Sequence, residues 1–127
     1  MGTCASNGDD PLTAEVVERI RDIFEAPDAA VYMVATGTAA NALALATLAK
    51  PWDTIFCTSL SHINEDECNA PELFTGGAKL TALSTGDKLG PEALEKAIVN
   101  LAGRGVHGPQ LGPVSLTQVS EKGTIYT

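Results

Sequence analysis

Apolar positions at helical spacing mark the first element of the chain. Between Asp10 and Pro27, apolar residues recur every three or four positions while charged residues occupy the other faces. This pattern predicts an amphipathic helix. The helix is expected to start at residues 10–13 with Thr13 as its N-cap, and Pro27 closes it. The apolar stripe consists of Val16, Val17, Ile20, Ile23 and Phe24.

A second apolar run leads through a glycine turn into another helix. Residues 30–35 have the composition of a strand, and residues 39–49 are rich in alanine and leucine. Because apolar side chains fall on nearly every face of the second segment, we expect a helix buried against a sheet. Thr36-Gly37-Thr38 forms the junction between the two, with Thr38 as the expected helix cap.

The rest of the chain alternates strand and helix patterns. A helix is predicted from Pro91, and residues 59–71 have the character of a polar, irregular segment, followed by a helical turn at 72–75. Strand patterns occupy residues 54–58, 79–83, 114–119 and the end of the chain at 124–127. The alternation predicts an α/β fold in three layers, α/β/α, with a mostly parallel sheet. In such sheets ligands bind beyond the carboxyl ends of the strands.

Composition and charge narrow the class of protein. The chain has 127 residues, which allows one small domain or part of a larger one. Its net charge is −8 without any basic cluster, so nucleic acid is excluded as a partner. No apolar run reaches ~18 residues and no signal peptide is evident, so no membrane partner is expected. Cys4, Cys57 and Cys68 have no metal or disulfide spacing, which favours a reducing, cytoplasmic location.

The Thr36-Gly37-Thr38 junction is the first candidate site. A helix N-terminus that follows a glycine turn leaves backbone N–H groups unpaired, and together with the helix dipole they attract an anion. Thr38 can offer its hydroxyl to the same anion. A phosphate-bearing ligand is therefore expected. A structural alternative stays open at this point, in which Gly37 only makes the turn and Thr38 only caps the helix.

His62 is the second candidate, because it directly follows a predicted strand. Its ring can stack on a planar ligand or act as an acid or base near neutral pH, or it can simply bond to backbone carbonyls. With Glu65, Glu67 and Cys68 it matches no standard metal spacing, so no metal is predicted. Two further residues receive structural roles: Cys57 as a buried thiol and His107 as a loop packing residue.

Together, these segments resemble the large domain of pyridoxal-phosphate enzymes of fold type I. More narrowly, they resemble the low-specificity threonine aldolase and β-eliminating lyase family. The resemblance rests on an apolar strand pattern, Thr-Gly-Thr-Ala-Ala-Asn at residues 36–41, a helix, a strand, and Ser-His-Ile-Asn at residues 61–64. It extends from residues 8–11 to residues 123–126, almost the whole chain.

The resemblance implies a cofactor, a substrate and a set of site residues. Pyridoxal 5'-phosphate would be the cofactor, with its phosphate held by Gly37 and Thr38, while Thr36 and Asn41 would shape the turn. His62 would lie against the pyridine ring as a catalytic residue. The implied reaction cleaves a small-molecule β-hydroxy amino acid into glycine and an aldehyde. The resemblance also implies a homo-oligomer, as a dimer or tetramer of the full-length protein.

The sequence also departs from the family pattern. The family usually has Glu-Asn-Thr-His where this chain has Thr-Gln-Val-Ser at residues 117–120, and a tyrosine where it has Asn7. These departures concern substrate contacts more than the fold. The family's cofactor-binding lysine, and the aspartate and arginine that accompany it, would follow residue 127. None of the five lysines present replaces that lysine: Lys50, Lys79, Lys88, Lys96 and Lys122.

We therefore expect residues 1–127 to form a partial pyridoxal-phosphate-binding large domain, the N-terminal portion of a longer aldolase. Alone it is expected to be inactive. Two alternatives of other classes remain open from the sequence. One is a non-catalytic α/β module that binds a phosphate ligand, and the other is a structural or oligomer-forming remnant.

Overall fold

The computed structural model describes Ala5 and residues 8–127. The chain divides into two compact units, Met1–Val34 and Ala35–Thr127. The first unit contains helix α1 (Pro11–Ile23). Its N-cap is Asp10, whose carboxylate accepts hydrogen bonds from the backbone N–H and the hydroxyl of Thr13 at 2.9 and 2.6 Å. The prediction of Thr13 as the N-cap is therefore wrong. The N-cap is Asp10, three residues earlier, and its carboxylate accepts hydrogen bonds from both donors of Thr13.

The predicted strand at residues 30–35 does not form in the described chain. Tyr32, Met33 and Val34 are 84%, 51% and 40% exposed. A strand exists only where a neighbouring strand takes up its backbone N–H and C=O groups. Within the described residues no strand pairs with this segment. Its apolar composition carries strand propensity, but propensity alone supplies no partner.

The second unit contains one parallel sheet and the helices around it. The strands are hydrogen-bonded in the order β2-β1-β3, and β1 pairs in parallel with both neighbours. The α/β class with a parallel sheet is therefore confirmed. In chain order the elements are α2 (Gly37–Leu48), β1 (Asp53–Cys57), α3 (His62–Glu65), α4 (Ala70–Phe74), β2 (Lys79–Ala82), α5 (Pro91–Ala102), a 3-10 turn (Gly105–His107) and β3 (Gln110–Val114).

Strand β1 is buried along its whole length, so both faces of the sheet are covered. Ile55 and Cys57 pack with Leu45 of α2 in the core on one face. Successive strand residues point to opposite faces. Phe56 accordingly lies on the other side, where it lines a space of ≈ 440 Å³ together with Leu101 of α5. The second unit thus has the expected three layers, α/β/α.

Helix α2 begins earlier and is less buried than predicted. It starts at Gly37 rather than Ala39, and only Ala42 and Leu45 are buried. Leu43 and Leu48 are 49% and 66% exposed. The expected burial of α2 against the sheet is therefore only partial in the described chain, with Ala42 and Leu45 buried and the other faces left open. The segment at 59–71, predicted to be irregular, contains the short helix α3 and the start of α4.

The last strand also differs from its prediction. It lies at Gln110–Val114 rather than at residues 114–119. The strand is hard to predict from sequence because it contains Gly112 and Pro113, and both residue types are uncommon inside strands. A side chain at Gly112 would overlap the backbone of Thr54, so glycine permits the close approach of β3 to β1. No strand forms at 124–127 within the described chain; that segment is held instead by Tyr126, whose hydroxyl accepts the Leu89 N–H at 2.8 Å. Among the described helices, none has the length and apolar character needed to cross a membrane.

Candidate functional site

The N-terminus of α2 presents backbone N–H donors that the helix itself does not pair. Thr36 is the N-cap: its hydroxyl accepts the Ala39 N–H at 3.1 Å, and its carbonyl accepts the Ala40 N–H at 3.1 Å. The cap is therefore Thr36, and the expected cap Thr38 lies inside the helix. Helix geometry gives the N–H groups of Gly37 and Thr38 no acceptor within the helix. Since the positive end of the helix dipole lies here, these donors attract an anion.

Gly37 is not required by the fold of the described chain. Its φ is outside the left-handed region. A Cβ built at this position would meet no atom within 4 Å. The glycine is therefore needed neither for the turn nor for packing, which removes the reading that it only makes the turn. What its missing side chain leaves is an open approach to the backbone N–H groups.

A cleft joins this helix terminus to His62. The cleft has a volume of ≈ 410 Å³, with Gly37 and Asn41 on the α2 side and His62 at the start of α3. Thr36 and Thr38 instead line a separate pocket of ≈ 270 Å³ with apolar neighbours. The structure thus brings together Gly37 and His62 of the four predicted site residues. Thr36 and Thr38 contribute a cap and a backbone donor, and the predicted roles of all four remain predictions.

One buried carboxylate connects the two sides of the cleft. Oε1 of Glu67 accepts a hydrogen bond from Nδ2 of Asn41 at 2.7 Å and lies 2.9 Å from Nδ1 of His62. The Glu67 side chain is fully buried, whereas that of His62 is 44% exposed. The hydrogen bond to Glu67 raises the pKa of His62 above its ordinary value, and burial opposes this rise. The negative charges of Glu121 and Asp66 also raise the pKa of His62.

Sequence reasoning missed this role of Glu67 and considered it only as a rejected metal ligand. Among the described residues, no group of three His, Cys, Asp or Glu side chains is arranged to hold a metal ion. The available signal was an acidic residue five positions after a histidine. That signal is weak, because the spacing alone does not predict that the side chains of His62 and Glu67 meet each other and Asn41 of α2.

The cysteines and the second histidine lie away from this chemistry. Cys57 is completely buried in β1, as expected, and burial raises the pKa of its thiol. Cys68 is exposed. His107 is exposed in the 3-10 turn and does not line the cleft, so it is not the packing residue that was expected. Cys4 and Asn7 lie outside the described residues.

The departures at residues 117–120 fall partly on the cleft. Thr117 and Gln118 line it. Ser120 is instead buried, and its hydroxyl donates to Oδ2 of Asp87 at 2.6 Å. This stretch therefore supplies both cleft wall and packing. None of the described residues that line the cleft is a lysine.

The sequence matches the beta-eliminating lyase family over residues 1–127. The chain belongs to this family. It is 40% identical over 120 residues to the low specificity L-threonine aldolase of a Pseudomonas species, and 39% identical over 120 residues to that of Pseudomonas aeruginosa. Each match covers 94% of this chain and 34% of the Pseudomonas protein, so this chain spans about a third of the length of these relatives.

Comparison with a solved structure supports the same family at the level of the fold. The threonine aldolase of Leishmania major superposes with a TM-score of 0.85 at 30% sequence identity. The match covers 99% of the chain and 36% of the Leishmania protein. The resemblance to threonine aldolases and β-eliminating lyases, derived from the order of the sequence segments, is therefore confirmed.

Proposed function

We propose that this chain is part of a pyridoxal-phosphate-dependent lyase of the threonine aldolase type, which cleaves β-hydroxy amino acids to glycine and an aldehyde. The observation that carries the proposal is the cleft shared by the α2 N-terminus and His62. It joins an anion site made of backbone N–H groups to a histidine ring. Membership of the beta-eliminating lyase family and the names of the two Pseudomonas relatives support it.

The residues present fit one end of pyridoxal 5'-phosphate. Gly37 lacks a Cβ where the surrounding space is open, so a phosphate can approach the N–H groups of Gly37 and Thr38. Asn41 and His62 border the same cleft further along. Gly37 and Thr38 would hold the phosphate, and His62 would lie against the pyridine ring.

The chain's own residues have limited tasks in this reaction. The Gly37 and Thr38 donors bind and orient the phosphate, and His62 covers one side of the cleft and offers a ring nitrogen to a proton. The cofactor, when bound, supplies the electron sink that allows a bond at the substrate Cα to break. The substrate is a small amino acid.

We further infer that the chain alone binds the cofactor weakly and does not turn over substrate. Two of its lysines lie over aromatic rings away from the cleft, Lys50 at 5.9 Å from the Trp52 ring centroid and Lys88 at 5.8 Å from that of Tyr126. With no lysine among the described cleft residues, no covalent attachment of the cofactor is available in this chain. In the whole protein the lysine would come from another part of the sequence.

Assembly and location follow as part of the same proposal. We propose a homo-oligomer, a dimer or tetramer, in the cytoplasm. Large exposed apolar side chains support association, since such patches mark interaction surfaces. Examples on α4 are Leu73 and Phe74, which are 74% and 58% exposed.

Titration of the purified chain with pyridoxal 5'-phosphate tests the proposed function. Weak, reversible binding is expected, with no glycine or aldehyde released from threonine. Gly37→Asp should abolish the binding because a carboxylate then faces the phosphate, whereas Asn100→Asp adds the same charge on exposed α5 and should leave it unchanged. Equal binding by both variants, or a stable cofactor absorbance band lost on replacing one particular lysine, would contradict the proposal.

A further inference from the structure

The Glu67 carboxylate is buried and pairs with groups on both sides of the cleft. Its side chain is fully buried, yet only one of its two oxygens has partners. Oε1 receives Asn41 Nδ2 and faces His62 Nδ1, at 2.7 and 2.9 Å. Oε2 has no hydrogen-bond partner among the described residues. A buried carboxylate is costly unless it is paired, so the pairing through Oε1 is strongly favoured.

The two donors come from different elements on the two sides of the cleft. Asn41 belongs to α2, whose N-terminus holds the anion site, and His62 begins α3. A single oxygen therefore links the ring of His62 to the helix that would bind the phosphate. Since Nδ1 is engaged by Glu67, Nε2 is the ring nitrogen left for a ligand in the cleft.

We propose that Glu67 is a positioning residue that accepts the Nδ1 hydrogen of His62, fixes the imidazole ring relative to α2 through Asn41, and presents Nε2 to the cleft. The meaning of this arrangement for catalysis rests on the proposed function. The arrangement itself belongs to the chain without ligand. It can be measured there, independently of cofactor binding.

The chemical consequence is a defined proton position on His62. In the neutral ring the hydrogen is on Nδ1 and the lone pair of Nε2 faces the cleft, ready to accept a proton. When the ring is charged, Nε2 carries the hydrogen that can be donated. The acidic groups that act on His62 are Glu67 by hydrogen bond and charge, and Glu121 and Asp66 by charge alone.

Nitrogen NMR of the unmodified chain measures directly which ring nitrogen of His62 carries the hydrogen. The sequence has only two histidines, and His107→Gln assigns the remaining signal to His62. At a pH where the ring is neutral, we expect Nδ1 protonated and Nε2 unprotonated in His62. His107 is exposed in the 3-10 turn and has no ion pair with a carboxylate among the described residues, so it serves as the reference. A neutral His62 with its hydrogen on Nε2 would overturn the proposal, whatever the variants do.

A pair of matched variants separates the hydrogen bond from simple charge. Glu67→Gln removes the charge at the hydrogen-bonding position, while Asp66→Asn removes an exposed charge close to His62 that does not bond to the ring. We expect Glu67→Gln to lower the pKa of His62 toward its ordinary value, because the amide carries no charge. The preference for the Nδ1 hydrogen should weaken, because an amide can present either its acceptor oxygen or its donor NH2 group to the ring. Asp66→Asn should change both readouts less. Equal effects of the two variants would contradict a positioning role, and if Glu67→Gln fails to fold by circular dichroism, the measurement on the unmodified chain decides.

Cofactor titration then distinguishes this inference from the proposed function. If the unmodified chain does not bind pyridoxal 5'-phosphate while His62 still carries its hydrogen on Nδ1, the proposed function fails and the role of Glu67 stands. If the chain binds, Glu67→Gln should weaken pyridoxal 5'-phosphate and leave inorganic phosphate unchanged, because only the ring contact depends on His62. Equal weakening of both ligands would assign Glu67 to the stability of α2 instead.

Discussion

The two ends of the cleft are built from different parts of the chain. At the α2 end the binding groups are backbone N–H donors of Gly37 and Thr38, exposed by a glycine that the fold does not otherwise need. At the other end the group is a side chain, His62, held by the buried carboxylate of Glu67. One end depends on where a helix begins, and the other depends on a contact between residues of separate elements.

This difference determines which substitutions should abolish binding at each end of the cleft. A site made of backbone groups survives most side-chain substitutions but fails if the helix start frays or its approach is filled. A site made of a positioned side chain fails when its partner loses charge or hydrogen bonding. Both ends share a support, since Ile55 of β1 packs with Leu45 of α2 and Ile63 of α3.

The largest expected effect comes from removing that shared support. Ile55 is fully buried, so Ile55→Ala should lower the free energy of unfolding by about 2–5 kcal/mol, through lost burial and an unfilled cavity. Both ends of the cleft should be disturbed together. Chemical denaturation measures the loss. Leu48→Ala, at a position 66% exposed on α2, is the control and should change stability by less than about 0.5 kcal/mol. Similar losses for both variants would contradict the central place of Ile55.

A smaller effect should appear when only the α2 end is broken. Thr36→Ala removes the hydroxyl that accepts the Ala39 N–H, which should cost about 0.5–2 kcal/mol of stability and weaken phosphate binding. Thr36→Ser retains the acceptor oxygen and should preserve both. Thermal unfolding and phosphate titration of the two variants provide the measurement. A serine variant as unstable as the alanine variant would show that the methyl group, rather than the cap, matters.

The backbone end of the site was predictable from sequence because it depends on local chemistry. A threonine and a glycine before an apolar helix signal a helix N-terminus wherever they occur, and the anion site follows from helix geometry. The exact cap was still wrong by two residues. Thr36 and Thr38 are equally good caps by residue type, and only backbone geometry distinguishes them: Thr36 is extended, with φ −143° and ψ 158°.

What sequence could not supply depends on partners distant along the chain. Residues 30–35 have strand composition but no neighbouring strand in the described chain, whereas β3 forms despite Gly112 and Pro113 because β1 lies beside it. Glu67 was overlooked for the same reason. Its importance comes from Asn41, which is distant in sequence and close only after α2 and α4 pack together.

Gly37→Ala sharpens the contrast between stability and binding at the α2 end. A Cβ here meets nothing within 4 Å, and alanine is the better helix former. Stability should stay the same or rise by up to about 1 kcal/mol. Phosphate binding should fall, because the Cβ narrows the approach to the N–H groups. Ala40→Gly, the reverse change at an exposed position of α2, should lower stability by up to about 1 kcal/mol without the loss of binding. A large drop in the stability of Gly37→Ala would mean that glycine is needed for the fold after all.

The smallest expected effect concerns the His62 end and its pH dependence. The pKa of His62 in the folded chain is raised above 6.5, chiefly by the hydrogen bond to Glu67. Protonation therefore favours the folded state, so the contribution of His62 is fully present below its unfolded pKa and is lost as pH rises through the raised folded pKa. The difference in unfolding free energy between the unmodified chain and His62→Gln should shrink across that window. A difference that grows with rising pH would mean that Glu67 does not stabilise the charged ring.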